Sequence, residues 1–267
     1  MYISTIERGN APVRTPAMKK SQEKWTRERA EILLRSTDNC WFASLSPAMK
    51  RTIVERSKIV TLRRNALICR AEDPADGIYA VLEGDVRAYL RGDDGEPIFY
   101  RSLGPGTWTG ITPILNRSTT RMTTLRAHSQ SAVLFLPRAD VESIASERDG
   151  LAAFVDLLCI LNNDTTRLAL DGRSDATVRT ARALLRLVKV HGQRAGDFAE
   201  LEIRLSQADL ASLVGVSRQY MNELIARWEK DAMLQWRSSG RHRLNWRELC
   251  GMLNPSDREW FENPGRA

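Results

Sequence analysis

One stretch near the carboxyl end, residues 205–228, restricts the fold more than any other part of the chain. It reads LSQADLASLVGVSRQYMNELIARW, which predicts two short amphipathic helices separated by Gly-Val-Ser. Ser206 and Asp209 have the spacing of a capping box, and Ser217 is placed to cap the second helix. Gly215 falls between the helices, where a positive φ is expected. The spacing therefore predicts a helix–turn–helix.

The second of these helices should separate buried from exposed side chains. Its apolar residues recur at the i, i+3, i+4, i+7 spacing of one helix face: Met221, Leu224, Ile225 and Trp228. With that face turned inward, Arg218, Gln219 and Asn222 must face outward on the first turns. In the major groove an arginine can donate two hydrogen bonds to guanine, and glutamine or asparagine can pair with adenine. The three residues therefore predict a DNA recognition helix.

A basic hairpin is predicted directly after this helix. In MLQWRSSGRHRLNW two strand-like arms flank Ser-Ser-Gly, with Arg237, Arg241, His242 and Arg243 near the tip. Such a wing is suited to phosphate contacts. We expect DNA contacts from Arg241 and Arg243, and from Ser206 and Ser217 at the helix starts. The alternative for both features is a generic helix pair and an exposed hairpin with solvated polar faces.

Residues from about 58 to 137 follow a different period. KIVTLRR, GIYAVLEGDVRAYLR, PIFYRSL and AVLFL are short runs rich in β-branched, leucine and aromatic residues, broken by EDPADG, GDDGE and GPG. Strands at this spacing with Gly and Asp turns predict an all-β barrel or roll. The segment RGDDGEP between two of the runs predicts a hairpin.

The pattern returns to helix after this region. LAAFVDLLCILNNDTTRLAL, residues 151–170, has an apolar side near heptad spacing. A helix this apolar needs a partner along most of its length, either the β-domain or a second copy of itself. DGRSD at 171–175 reads as a hinge, ATVRTARALLRLVKVHG as a basic amphipathic helix, and QRAGDFAE as a loop. Near the amino end, KWTRERAEILLR predicts a short helix.

Composition restricts the class of protein. The chain of 267 residues, with 42% hydrophobic and 27% charged residues, is ordinary for two small globular domains. No apolar run reaches the roughly 20 residues of a membrane span, and no apolar signal segment is visible, so we expect a cytoplasmic protein without a membrane partner. A net charge of +7 favours polyanions, and residues 204–247 hold eight basic against four acidic residues.

Catalytic and metal-binding patterns are missing from the sequence. There is no GxSxG, HExxH or P-loop, and the three histidines are isolated from one another. The four cysteines lie far apart with no CxxC, which argues against a metal knuckle and a disulfide framework. We therefore expect neither an enzyme nor a metal site.

The order of these parts resembles the Crp/Fnr superfamily of bacterial transcription regulators over roughly residues 38–250. VGVSRQYMNELIARWEKDAML is similar to the family's recognition helix, and AEDPADGIYAVLEGDVRAYL to its β-roll. The resemblance implies an α+β fold: an N-terminal double-stranded β-helix (a jelly-roll-like β-roll), a long dimerisation helix and a C-terminal winged helix–turn–helix. It also implies a homodimer that binds a pseudo-palindromic double-stranded DNA operator, with RNA polymerase as a further partner.

The resemblance also divides the chain. The expected parts are a flexible basic extension (1–37), a cyclic-nucleotide-binding-like sensor domain (38–149), the dimerisation helix and hinge (150–172), the winged helix–turn–helix (173–250) and a C-terminal tail (251–267). The expected dimer interface comprises Leu151, Phe154, Val155, Leu158, Asn162 and Thr165.

The effector pocket departs from the family pattern. In cyclic-nucleotide members a glycine-rich turn, an acidic residue and an Arg-Ser pair hold the cyclic phosphate and ribose. GPGTWTGITPILNRSTTRMTTLRA aligns to that segment with Arg121 on the phosphate-binding arginine, Ile111 on the acid and Met122 on the hydroxyl residue. Ile111 cannot accept a hydrogen bond and Met122 cannot donate one, so cyclic AMP is not expected in the usual mode. The effector-pocket residues are Trp108, Thr109, Gly110, Arg121, Met122 and Thr123.

Other sensor chemistry is left partly open. The oxygen-sensing branch holds an iron–sulfur cluster through an N-terminal cysteine cluster, and the first 39 residues contain no cysteine, so no such cluster is expected. A haem at His128, His191 or Cys69, an unidentified small-molecule effector, and no effector at all remain alternatives. The leading hypothesis is a DNA-binding regulator, activator or repressor. The alternative is a ligand-sensing module that acts on a protein partner without DNA.

Overall fold

The computed structural model describes residues 25–36, 40–116 and 120–262, and every structural statement below concerns these residues. The helices are α1 (Arg27–Ser36), α2 (Cys40–Ser44), α3 (Pro47–Arg56), α4 (Thr112–Leu115), α5 (Arg138–Ala145), α6 (Arg148–Asp171), α7 (Ala176–His191), α8 (Gln207–Val214), α9 (Arg218–Lys230), α10 (Trp246–Gly251) and α11 (Pro255–Glu262). The strands are β1 (Lys58–Leu62), β2 (Leu67–Cys69), β3 (Gly77–Glu83), β4 (Val86–Arg91), β5 (Pro97–Leu103), β6 (Trp108–Thr109), β7 (Thr124–Ala127), β8 (Ser131–Pro137), β9 (Gly192–Ala195), β10 (Phe198–Glu202), β11 (Leu234–Gln235) and β12 (Arg241–Asn245).

Eight strands form the predicted β-roll. They make two four-stranded sheets with strand orders β1-β8-β3-β6 and β2-β7-β4-β5, and the described pairings are antiparallel. Strand β3 is buried along almost its whole length, because the roll interior and the covering helices take its two faces. β4 and β5 form the predicted hairpin, with Gly95 at a φ of 84° in the turn.

The amino-terminal helices belong to this domain. Ala30 and Leu34 of α1 are buried in the same cluster as Trp41 and Phe42 of α2. The boundary expected at residue 38 is therefore wrong for Arg27–Ser36, which pack onto the roll because their apolar side needs cover. Residues 1–24 of the expected extension lie outside the described residues.

Helix α6 runs along the roll and has two different sides. Ala153, Phe154 and Leu157 are buried against the amino-terminal helices and the roll, whereas Leu151 and Val155 are 46% and 41% exposed. Phe154 is thus wrong as an interface residue, because its ring stacks on Trp41 with centroids 6.1 Å apart inside its own subunit.

The C-terminal domain surrounds a second core. Its sheet has the order β11-β12-β10-β9, with α7, α8, α9 and α10 packed around it. QRAGDFAE, expected as a loop, forms most of the β9–β10 hairpin, turning at Gly196 with a φ of 62°. The strand forms because every second residue faces the core: residues 199 and 201 are buried, and the residues beside them are exposed.

The expected C-terminal tail is also partly folded. Phe261 of α11 is buried with its ring 6.3 Å from Trp246, so Pro255–Glu262 is part of the domain. Across the described ranges, none of the helices combines the length and apolarity needed to span a bilayer.

The two domains meet through the roll's β4–β5 hairpin and α8. Phe99 of β5 lies in the C-terminal core, and its backbone N–H donates to the hydroxyl of Ser212 at 3.2 Å. The helix–turn–helix is therefore held against the roll of its own chain.

Candidate nucleic-acid interface

The helix–turn–helix has the predicted local geometry. Ser206 accepts from the backbone N–H of Asp209 at 3.0 Å, and the Asp209 carboxylate accepts from the Ser206 N–H at 3.0 Å, which confirms the capping box. Gly215 ends α8 with a φ of 73°, and Ser217 caps α9 by accepting from Tyr220 N–H. These caps fix where each helix starts and how the chain turns between them.

Helix α9 is held by its apolar face. Met221, Leu224, Ile225 and Trp228 are buried, as the spacing predicted. Arg218, Gln219 and Asn222 are exposed on the first two turns. The amide of Gln219 donates to Glu223 at 3.1 Å, and within the described residues the side chains of Arg218 and Asn222 have no hydrogen-bond partner. The amino end of α9 thus presents one guanidinium and two amides to solvent.

The wing is a short antiparallel pair, β11 with β12, joined through Gly240. Arg241 and Arg243 are exposed on one side of β12. Arg241 lies 3.4 Å from Glu202, and the guanidinium of Arg243 lies 4.2 Å from the ring centroid of Phe198. Both contacts are made by the guanidinium groups, and the two side chains remain open to solvent.

His242, expected near the basic tip, lies on the opposite side of β12. Alternate strand residues face opposite ways, so its ring is buried and packs 4.0 Å from Trp236. Its Nδ1 accepts from Arg237 N–H at 3.2 Å, which leaves Nε2 to donate to the Ile203 carbonyl. Burial lowers the pKa of His242, so at neutral pH it adds no charge to the wing.

The predicted effector residues do not form one cluster. Arg121 is buried and donates to the Asp76 carboxylate and, at 2.9 Å, to the Gly77 carbonyl. Gly110 has a φ of 94°, and a Cβ there would lie 3.1 Å from the Arg121 guanidinium. Met122 is 68% exposed, whereas Arg121 before it is buried, so the two side chains do not share one pocket.

Aromatic side chains pack around Trp108, two residues before Gly110. Trp108 is buried, stacked on Phe42 at 5.9 Å and edge-on to Trp41 at 5.0 Å. Ile111 is fully buried in the same cluster. Thr109 and Thr123 are half-buried, and Thr109 pairs with Tyr79 across β6 and β3. The sequence pointed to Trp108 but not to Trp41 and Phe42, which cover it from α2.

The residues named for haem are engaged elsewhere. His128 Nε2 lies 2.5 Å from the Tyr89 hydroxyl, and His191 Nε2 lies 2.7 Å from the Ser102 hydroxyl. Burial raises the pKa of the Cys69 thiol to about 11, so it is not a thiolate at neutral pH. Among the described residues, no three His, Cys, Asp or Glu side chains are grouped to hold a metal ion.

The remaining expected interface residues of α6 differ in exposure. Asn162 and Thr165 are exposed, whereas Leu158 is half-buried and packs against the core of the sensor domain. Leu151, Val155, Asn162 and Thr165 thus leave a mixed apolar and polar stripe in solvent.

Comparisons with known proteins match both domains. The model for the cyclic nucleotide-binding domain covers residues 59–148, and the Crp-like helix-turn-helix domain covers residues 178–252. The CRP-like cAMP-activated global transcriptional regulator of Mycobacterium tuberculosis is 23% identical over 200 residues, 69% of this chain and 83% of that protein. The CRP-like protein Clp of Xanthomonas campestris is 26% identical over 180 residues, 64% and 76% of the two chains.

Solved structures show the same fold. FixK2 from Bradyrhizobium japonicum superposes with a TM-score of 0.64 at 18% identity, covering 74% of this chain and 98% of that one. The c-di-GMP responsive global regulator CLP of Xanthomonas campestris gives 0.61 at 23% identity, covering 74% and 99%. These confirm the predicted α+β fold. The Mycobacterium tuberculosis relative is described as a transcriptional regulator, and the Xanthomonas campestris structure as a global regulator. With a roll that matches the cyclic nucleotide-binding domain family, a long helix and a Crp-like helix–turn–helix in that order, the chain belongs to the Crp/Fnr family of DNA-binding transcription regulators.

Proposed function

We propose that this regulator binds a pseudo-palindromic operator as a homodimer and reads each half-site with Arg218, Gln219 and Asn222. The observation that carries the proposal is the division of α9: its apolar face is core, and its three base-reading side chains are exposed on the first two turns. A recognition helix enters the major groove with that end. A guanidinium suits guanine, and the two amides suit adenine.

Phosphate contacts would orient this helix. Ser206 and Ser217 already accept from backbone N–H groups, so each hydroxyl proton is free to be donated to a phosphate oxygen. Arg241 and Arg243 extend the basic surface onto the wing. Such contacts fix register without carrying sequence information.

The homodimer would form through the outer side of α6. Leu151 and Val155 are large apolar side chains with close to half of their surface in water, and α6 is 24 residues long. Pairing with a second copy would cover both, at the near-heptad spacing that two helices need. Two-fold symmetry would then place one recognition helix in each half-site.

Cyclic AMP in its usual mode is not the proposed effector. Ile111 supplies no acceptor for a ribose hydroxyl, Met122 faces solvent, and Arg121 is already paired with Asp76. The Mycobacterium tuberculosis relative is described as cAMP-activated and the Xanthomonas structure as c-di-GMP responsive. For this chain the proposal is an effector other than cyclic AMP in its usual mode, or no effector. Action with RNA polymerase in the cytoplasm is expected from the family alone.

The test is selection of operators from a random inverted-repeat library. We expect the parent to enrich one palindrome, and Arg218→Ala or Asn222→Ala to lose about 1–3 kcal/mol of discrimination at one base pair. Arg227→Ala is the control, since this arginine is exposed on a later turn of the same helix. If both triad variants select the parent's palindrome with unchanged affinity, the base-reading proposal is wrong.

The dimer is tested separately by sedimentation. Val155→Glu should convert a dimeric parent to monomer and weaken binding to the full palindrome. Asp156→Ala, exposed on the neighbouring position, should stay dimeric. A monomeric parent at micromolar concentration would refute the proposed assembly.

A further inference from the structure

Helix α11 lies beyond the matched helix–turn–helix region, which ends at residue 252, yet it contacts α6, the helix of the proposed dimer interface (the dimer helix). Its amino end is capped by Asn254, whose side-chain oxygen accepts from Asp257 N–H at 2.9 Å. Phe261 is buried in the C-terminal core, and the Arg258 guanidinium donates to the Cys250 carbonyl at 3.2 Å. Helix α11 is therefore fixed to the DNA-binding domain.

Asp257 connects α11 to the hinge. Its carboxylate accepts from Arg182 of α7, whose guanidinium also contacts Asp171 at 3.2 Å and the Ser174 hydroxyl at 2.7 Å. The Arg182 side chain is only 8% exposed. Because Asp171 ends α6 and Ser174 lies in the hinge, one buried cation on α7 joins α6, the hinge and α11.

Trp260 makes a second connection. The Arg167 guanidinium of α6 lies 4.9 Å from the indole centroid, and the Lys189 ammonium of α7 lies 3.7 Å from it. Arg167 also approaches the Asp257 carboxylate at 4.0 Å. Cations over an indole face are attracted by its negative quadrupole. The dimer helix is thus held directly by α11, in addition to its covalent connection through the hinge.

We propose that α11 is a clasp that fixes the angle between the dimer helix and the DNA-binding domain, and thereby sets the spacing of operator half-sites that the dimer accepts. The proposal rests on the proposed homodimer with two recognition helices. In such a dimer the separation of the helices depends on this angle in each subunit. A rigid angle accepts one spacing, near one helical turn of DNA. A dimer with a mobile angle accepts several half-site spacings, and it binds the best of them more weakly than a rigid dimer does.

The experiment measures affinity for a series of operators that share the selected half-site and differ by single base pairs in spacing. The double variant Asp257→Asn/Trp260→Ala removes both arms of the clasp. We expect its preference for the best spacing over the next to fall by about fivefold or more, with affinity for an isolated half-site unchanged. Glu259→Gln is the control, because this carboxylate is exposed on the same helix.

A second variant, on α6 rather than α11, separates loss of the clasp from misfolding of the DNA-binding domain. Arg167→Gln alters only the α6 contact with Trp260 and Asp257, so it should relax spacing preference without touching the DNA-binding domain. Amide hydrogen exchange at residues 172–175 should also become faster in both variants. If both keep the parent's spacing preference and hinge exchange, the clasp is wrong. A parent that binds half-sites but favours no inverted repeat would instead refute the proposed dimeric function, and the clasp with it.

Discussion

The guanidinium of Arg87 lies 3.1 Å from the carboxylate of Asp209, which joins a strand of the roll to the first helix of the helix–turn–helix. Arg87 is fully buried, contacts Asp85 at 2.9 Å and donates to the Arg204 carbonyl at 2.6 Å. Burial opposes ionisation of Asp209, but the hydrogen bonds from Ser206 and the charge of Arg87 outweigh it and hold the pKa of Asp209 below its usual value. The Asp209 carboxylate therefore both caps α8 and holds the DNA-binding domain against the roll.

Removing Arg87 should destabilise the protein strongly. Arg87→Leu leaves Asp85 and Asp209 without their cation, and breaking a buried pair in this way costs about 3–5 kcal/mol. Because Asp209 is about one-third exposed, we expect the lower end of that range. Urea unfolding at pH 7.5 measures it. Arg91→Leu is the control, since its pair with Glu72 is exposed and should contribute about 0–1 kcal/mol. Equal losses in the two variants would contradict a stabilising role for the buried network.

Gly215→Ala should cost about 1–2 kcal/mol, the penalty of a left-handed conformation for a residue with a Cβ. No atom lies within 4 Å of the added carbon, so the strain is conformational rather than steric. Gly215→Asn should cost less, because asparagine tolerates this conformation better. Thermal unfolding of the two variants compares them. A larger loss for asparagine than for alanine would show that the turn is limited by space.

Arg243→Ala should weaken operator binding by a similar factor for all sequences. A phosphate contact releases about 0.9 counterion, so loss of one per subunit should reduce the slope of log K against log salt by roughly 2 in a dimer. Binding titrations from low to moderate salt give that slope. Arg247→Ala, on α10 outside the wing, is the control and should leave it unchanged. A change in base preference without a change in slope would assign Arg243 to base reading.

Local patterns were sufficient for the recognition unit. Ser206, Gly215 and Ser217 act through backbone geometry within a few residues, so their roles can be predicted from spacing, and the structure confirms them. The side of α6 that Phe154 occupies could not be assigned, because large apolar residues occur on both sides of that helix and only the tertiary fold decides which side meets the roll. His242 was predictable from strand alternation, since Arg241 and Arg243 flank it.

The start of helix α11 is recognisable in the sequence. Asn254, Pro255 and Asp257 have the spacing of an N-cap, a first-turn proline and a first-turn acid. What the sequence could not indicate was that Asp257 meets Arg182 and that Trp260 meets Arg167, because these contacts join segments far apart in the chain.

Cyclic AMP should not stabilise the protein. A ligand at one hundred times its Kd raises the unfolding free energy by about 2.7 kcal/mol, which shifts Tm by several degrees. We expect no shift at millimolar cyclic AMP, because Arg121 is paired with Asp76 and Ile111 is buried without an acceptor. Operator DNA in the same assay should raise Tm and shows that binding is detectable. A clear shift with cyclic AMP would refute the proposed departure from the usual mode.

Stability should fall as the pH drops from 7.5 to 5.5. Burial is the largest influence on His191 and outweighs the nearby Asp85 carboxylate, so the pKa of His191 is lowered, as are those of His128 and His242. Below an unfolded pKa of about 6.5 the unfolded state binds protons that the folded state does not, so each histidine contributes a loss of at most about 1.4 kcal/mol over this interval. Carboxylates with lowered pKa, such as Asp209, act only near and below pH 4. Urea unfolding at the two pH values tests this. His191→Gln should reduce the difference in unfolding free energy between pH 7.5 and pH 5.5. Stability that holds constant or rises toward pH 5.5 would show that these imidazoles are charged in the folded protein.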